Sequence, residues 1–177
     1  MKVFISYSSR DRDIRQYIER ELAVHLNALA PNTYTLWSDA GIDIGANWRE
    51  VIETQMAESD AALLLVSPGF MASEFINNVE LTEFFRRKQE AGYILIPVEI
   101  RHTPNWGELA QLNFFKTYRT DYGFTRPADR TERLAFEQLY DNDRTTDAQL
   151  NTYFTKLAEC VHGAFLGRMK KDSSTPL

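Results

Sequence analysis

The sequence predicts an α/β domain: a doubly wound, five-stranded parallel sheet with helices on both faces. Three observations predict it. Short apolar runs alternate with longer amphipathic stretches along most of the chain. One run, Ala61-Ala62-Leu63-Leu64-Leu65-Val66, is apolar at every position, as a central parallel strand covered above and below must be. Polar clusters, finally, follow the runs where strands would end: Ser6-Tyr7-Ser8-Ser9-Arg10, then Ser38-Asp39, then Ser67-Pro68-Gly69. In an open sheet of this flavodoxin-like kind, ligands bind outside the carboxyl ends of the strands. That sets a place and no reaction.

The elements follow in order. Residues 3–5 form a short β-prone run. From 11 to 29, Ile14, Tyr17, Ile18, Leu22, Val24, Leu26 and Leu29 recur as a helical stripe, which Pro31-Asn32 stops. Residues 34–37 read as a second strand, and the loop 38–46 carries Gly41 and Gly45. Asn47 caps the next helix, with Trp48, Val51, Ile52 and Met56 on one face and Glu50 as capping-box partner. Residues 61–66 are the third strand, and 70–90 are helix-prone. Residues 93–100 are a fourth strand, which Pro97 demotes towards an edge or bulge. Residues 114–118 supply the fifth. A polar stretch, 119–146, holds a short helix near 131–140. The last helix spans 147–169 with Leu150, Phe154, Leu157, Cys160, Val161 and Phe165 on one side. The domain thus covers 1–169, and 170–177 is expected to be a disordered tail or linker.

Composition narrows the function. A chain of 177 residues is one domain's worth, and 20 basic against 25 acidic residues leave a net charge of -5. A general nucleic-acid binder would carry a basic field instead. The single cysteine, Cys160, excludes an internal disulfide framework or thiolate cluster, and His25, His102 and His162 lack metal-site spacing. No apolar run approaches the 18 or so residues of a membrane span, and MKVFISYSSRDRD has no signal-peptide pattern. The expectation is a soluble, cytoplasmic, single-domain protein that binds neither nucleic acid nor membrane.

Four motifs in sequence order carry a resemblance. Lys2-Val3-Phe4-Ile5-Ser6-Tyr7-Ser8 with Asp11, Trp37-Ser38-Asp39, Gly45-Ala46-Asn47-Trp48, and 62–67 followed by Pro68, Phe70, Ser73-Glu74-Phe75-Ile76 and Glu80-Leu81 resemble Toll/interleukin-1 receptor (TIR) domains of bacterial type. The likeness covers about residues 1–118. It implies an NAD-cleaving enzyme with NAD as substrate and no cofactor or metal, acting in bacterial antiphage or stress signalling. It also implies TIR–TIR homo-oligomers and a sensor domain or partner protein. The catalytic residue carried over is Glu80. Tyr7, Ser8 and Arg10 would line the pocket, Asp39 and Gly45 belong to the gating loop, and Trp48 and Phe75 wall it. One departure is informative. Members commonly place a Trp four residues before the catalytic Glu; here that position is Ile76, and Phe75 stands five before, as though the turn held one extra residue.

Bland readings stand beside these. An exposed glutamate usually faces solvent, and Glu74 and Glu83 remain lesser candidates for the carboxylate. Ser8 or Ser9 suits a helix N-cap, Arg10 a surface ion pair, and Trp48 a core plug as readily as a ligand wall. Trp37 and Trp106 read as packing, Cys160 as a small hydrophobe, and Arg86-Arg87-Lys88 as a helix C-terminal cluster. Neither GxGxxG nor a P-loop is present, so a Rossmann oxidoreductase is unsupported. A phospho-receiver would want an Asp where Ser67 stands. The remaining alternative is a non-catalytic TIR scaffold that acts by self-association.

Overall fold

A computed structural model describes residues 1–42, 47–122 and 133–173. Four parallel strands, β1 (Lys2–Ser6), β2 (Thr35–Trp37), β3 (Ala61–Val66) and β4 (Ile94–Glu99), lie in the order β2-β1-β3-β4. This is the flavodoxin-like order, with its switch point between β1 and β3. The register pairs Phe4 with Trp37 on one side and Ala62 on the other, and Val66 with Glu99. The sheet has four strands among the described residues, where the sequence predicts five.

The missing strand has a cause in backbone pairing. Residues 114–118 do approach β4, but only as one bridge, Val98 to Phe115, with the Phe115 N–H bonded to the Pro97 carbonyl at 2.9 Å. In that register the rung before it would need an N–H on residue 97 for the Asn113 carbonyl, and Pro97 has none; in the other direction the Glu99 carbonyl accepts from the Phe136 N–H and the Thr117 carbonyl from the Leu134 N–H, both at 3.0 Å. Phe136 and Leu134 thus take the carbonyls that a fifth strand over 114–118 would pair.

Two cores separate the sheet from its helices. Helices α1 (Arg12–Leu29) and α6 (Asp147–Ser173) cover one face through Ile14, Ile18, Leu22, Phe154, Leu157 and Val161 packed on Val3, Ile5, Leu63 and Val98. On the other face, α2 (Trp48–Glu58), α3 (Pro68–Met71) and α4 (Thr82–Ala91) pack Ile52, Met56, Phe70 and Phe84 on Phe4, Ala62, Leu64 and Val66. All six residues of β3 are buried, since both cores rest on them.

Several boundaries differ from expectation. The helix expected over 70–90 is broken by the turn at Ala72-Ser73 into α3 and a longer helix whose first turns, Ile76–Leu81, are π-helical. The short helix expected near 131–140 is α5 (Glu137–Tyr140), and 131–132 lie outside the described residues. Helix α6 continues to Ser173 rather than ending at 169, and residues 174–177, where the rest of the expected tail falls, lie outside the described residues. The polar stretch 119–146 finds a structural role: it buries Tyr122, Leu134, Phe136 and Leu139 in the α1/α6 core. Backbone bonds from Phe136 to Glu99 and from Glu137 to Ile100 fasten it to the end of β4.

Candidate active site

At the carboxyl ends of β1 and β3 a cavity of about 360 Å³ opens beside the switch point. The volume is near the small end of ligand sites, which run from about 300 to 1,000 Å³. Tyr7, Ser8 and Arg10 enter it from the turn after β1, Asp39 from the turn after β2, Trp48 from the start of α2, and Phe75 and Glu80 from the helix after β3. The structure therefore brings these seven predicted residues around one space. The eighth, Gly45, lies outside the described residues. Among the described residues no group of three His, Cys, Asp or Glu side chains could hold a metal ion.

Glu80 is the buried acid of the site, 6% exposed. Ser6, the last residue of β1 and itself buried, donates its hydroxyl to Glu80 Oε2. Oε1 has no hydrogen-bond partner among the described residues, yet it is not sealed from solvent, so it is the edge that meets the cavity. Burial lifts the carboxyl from its ordinary 4.5 to about 7; the Ser6 hydroxyl opposes that rise and the nearby Asp39 charge adds to it. Such a perturbed acid in a cleft is a functional-site signature. The two lesser candidates sit elsewhere. Glu74 is exposed, and Glu83 is tied to Arg86 at 2.6 Å, which lowers its own pKa.

The π-helical turn explains why Phe75 belongs here. Five residues along an ordinary α-helix end about 140° away around the axis. A π turn bonds i to i+5 and so brings such a pair back onto one side. The extra residue between aromatic and acid is absorbed in Ile76–Leu81, and Phe75 faces the same cavity as Glu80. Trp48 lies against Phe75 with ring centroids 4.5 Å apart, and it is 45% exposed. That exposure is inconsistent with a core plug. Together the two rings make a half-open apolar wall.

The opposite wall is polar. Tyr7 donates to Asp39 Oδ1 at 2.5 Å, and burial together with that bond pushes the Tyr7 hydroxyl up to about 12, so it stays a donor. Arg15 of α1 lies over the Tyr7 ring at 5.1 Å and is itself held by Glu19 at 2.5 Å, which fixes the ring from behind. Ser8 caps the short 3-10 turn Ser9–Asp11. Gly69 approaches so closely that a Cβ there would lie 2.9 Å from Ser8 Oγ. Arg10 is exposed and makes no ion pair among the described residues, unlike the surface bridge the bland reading supposes.

Below this wall Asp11 is buried, accepting from Ser67 at 2.6 Å and Arg101 at 2.8 Å. The pair ties the β1 turn to the ends of β3 and β4. Arg87 of the basic cluster closes a helix C-terminus, but that of α2, by donating to the Met56 and Ser59 carbonyls. Trp106 is buried and Trp37 packs on Phe4, while burial raises the Cys160 thiol. Ser6 is the site residue that the sequence reading missed. Its signal was available: it shares a strand face with Phe4, one step beyond the core, so a polar group there must look for a partner.

A family model described as a TIR domain matches residues 3–135. The chain belongs to the TIR-domain family. The TIR domain is also similar to the uncharacterized protein y4lF of Sinorhizobium fredii (strain NBRC 101917 / NGR234), with 30% identity over 99 residues. That match covers 56% of this chain and 30% of the relative, so the chain spans under a third of the relative's length. No helix among the described residues is long and apolar enough to cross a membrane.

Proposed function

We propose that this TIR domain cleaves the bond between nicotinamide and ribose in NAD, with Glu80 as the catalytic residue. The observation that carries this reading is the Glu80 carboxyl itself: buried, held by one oxygen, and presenting the other to a cavity with an aromatic wall. Breaking the N–C1′ bond leaves the bonding pair on nicotinamide, which departs neutral because it is cationic in NAD. No general acid is therefore needed. Positive charge develops on the ribose, and a carboxylate beside C1′ stabilises that oxocarbenium ion and bonds its hydroxyls. The Trp48–Phe75 wall suits the flat nicotinamide, and the exposed Arg10 cation suits a phosphate. Water adding to C1′ and losing a proton gives ADP-ribose; attack by an adenine nitrogen of the same molecule gives a cyclic product. A cavity near the small end of ligand sites seats the nicotinamide riboside end and leaves the adenosine over the rim, where a second copy would complete the site.

The test is NAD consumption with mass identification of products, for wild type and Glu80→Gln, at low and high protein concentration. The expected result is activity per molecule that rises with concentration and falls about a hundredfold or more in the variant. Wild-type consumption unchanged by Glu80→Gln would refute the assignment. No consumption even by a forced oligomer would favour the scaffold reading, in which the TIR domain signals in a defence or stress system by assembly alone.

A further inference from the structure

We propose that Ser6 is a positioning residue that keeps Glu80 in the carboxylate form and aims its free oxygen into the cavity. The inference rests on Glu80 acting in the reaction proposed above. Ser6 ends β1 on the face that carries Phe4, and its hydroxyl is almost wholly removed from water, so it must bond within the protein. Its hydrogen bond goes to Glu80 Oε2. Because an ionised carboxylate only accepts, the Ser6 proton favours that form, and it pins one oxygen so that the other points outward.

The groups facing Glu80 leave this task to Ser6. From the β1 turn come Tyr7, a neutral donor committed to Asp39, and Arg10 at the exposed rim. From the β2 turn comes Asp39, a like charge that opposes ionisation. Apart from Glu80 itself, the helices contribute Trp48, Ile52, Gly69, Phe75 and Ile76 to the cavity, none of them titratable. Among the described residues, then, Ser6 makes the one hydrogen bond that holds the carboxylate in its charged form.

The experiment labels the glutamate carboxyl carbons with ¹³C and titrates wild type, Ser6→Cys and Ser6→Ala, with Glu80→Gln identifying the resonance. In parallel, NAD turnover is measured from pH 5.5 to 9.5. The expected midpoint rises by about one to two pH units in Ser6→Ala, with the weakly donating Cys in between. Turnover at pH 7 falls about five- to fifty-fold and returns towards wild type at pH 9, because the shift in midpoint sets the loss. A midpoint that stays put overturns the proposal, as does a turnover loss equal at every pH, which is what mere structural damage would give. The cysteine variant keeps the volume if the alanine variant does not fold. A raised midpoint in a protein whose wild type consumes no NAD would defeat the enzyme reading alone.

Discussion

Replacing Glu80 by Gln should make the protein more stable, and the gain should depend on pH. The Glu80 carboxyl titrates near 7 in the fold against an ordinary 4.5, chiefly because burial disfavours its charge. The folded state therefore binds a proton that the unfolded chain has already lost between those two values. Below 4.5 the group costs nothing; from 4.5 to 7 stability drains away as pH rises; above 7 the loss is complete. At about 1.4 kcal/mol per pH unit, that rise amounts to about 3 kcal/mol. Gln keeps the shape and can still accept from Ser6, so the variant should recover most of it. For a chain of this size each kcal/mol moves Tm by about 2–4 °C, which gives roughly 6–12 °C at pH 8.5 and little at pH 5. Thermal unfolding of both proteins across that range is the assay. A Tm difference that does not change with pH, or a variant less stable at pH 8.5, would refute the reasoning.

Two further substitutions probe the wall around the site. Arg101→Met leaves the buried Asp11 carboxylate without its charged partner, keeping only Ser67, and should cost about 2–4 kcal/mol by urea unfolding; a loss below about 1 kcal/mol would mean that water replaces the arginine. Gly69→Ala puts a methyl against Ser8 and should push the Ser8–Arg10 wall, raising KM for NAD several-fold with little change in Tm. An unchanged KM would show that Ser8 gives way freely.

The parts of the fold legible in the sequence were those where one force dominates. The six apolar residues of β3 admit no arrangement except burial on both faces, and of the expected α1 stripe Ile14, Ile18, Leu22 and Leu26 face a core while Val24 and Leu29 are exposed. The misses involve forces a periodic pattern does not carry. The fifth strand gives way to residues distant in sequence, Phe136 and Leu134, which take the Glu99 and Thr117 carbonyls. The π turn at Ile76–Leu81 changes no residue type, and its only trace is Phe75 standing five places before Glu80. The stretch 119–146 looks polar because its buried residues, Tyr122, Leu134, Phe136 and Leu139, are widely spaced. At the site, motif order brought Tyr7, Ser8, Arg10, Asp39, Trp48, Phe75 and Glu80 to one cavity. Ser6 was passed over because a serine at a strand end reads as the start of a turn.

The contrast among the buried acids decides how Glu80 should be understood. Asp11 meets Arg101 and the Ser67 hydroxyl. Glu99 receives the Thr103 N–H at 3.0 Å and has His102 at 3.8 Å. Asp11 is matched by a cation and a hydroxyl in the way a buried carboxylate must be if it only serves the fold, while Glu99 has a backbone N–H and a histidine that pairs with it only when protonated. Glu80 is as buried as either, has one hydroxyl and no cation within bonding reach among the described residues, and faces a like charge at Asp39. The same few residues also carry a π turn, a half-exposed tryptophan and an arginine with no ion pair among the described residues. Departures from local rules that gather at one cavity are what a site kept for binding costs a fold. A cationic substrate seated over Oε1 would supply the missing partner: it would pull the Glu80 midpoint down and return the stability lost above pH 7. Stabilisation of the wild type by nicotinamide riboside, a cation, should therefore exceed that by its neutral reduced form, and the difference should vanish in Glu80→Gln.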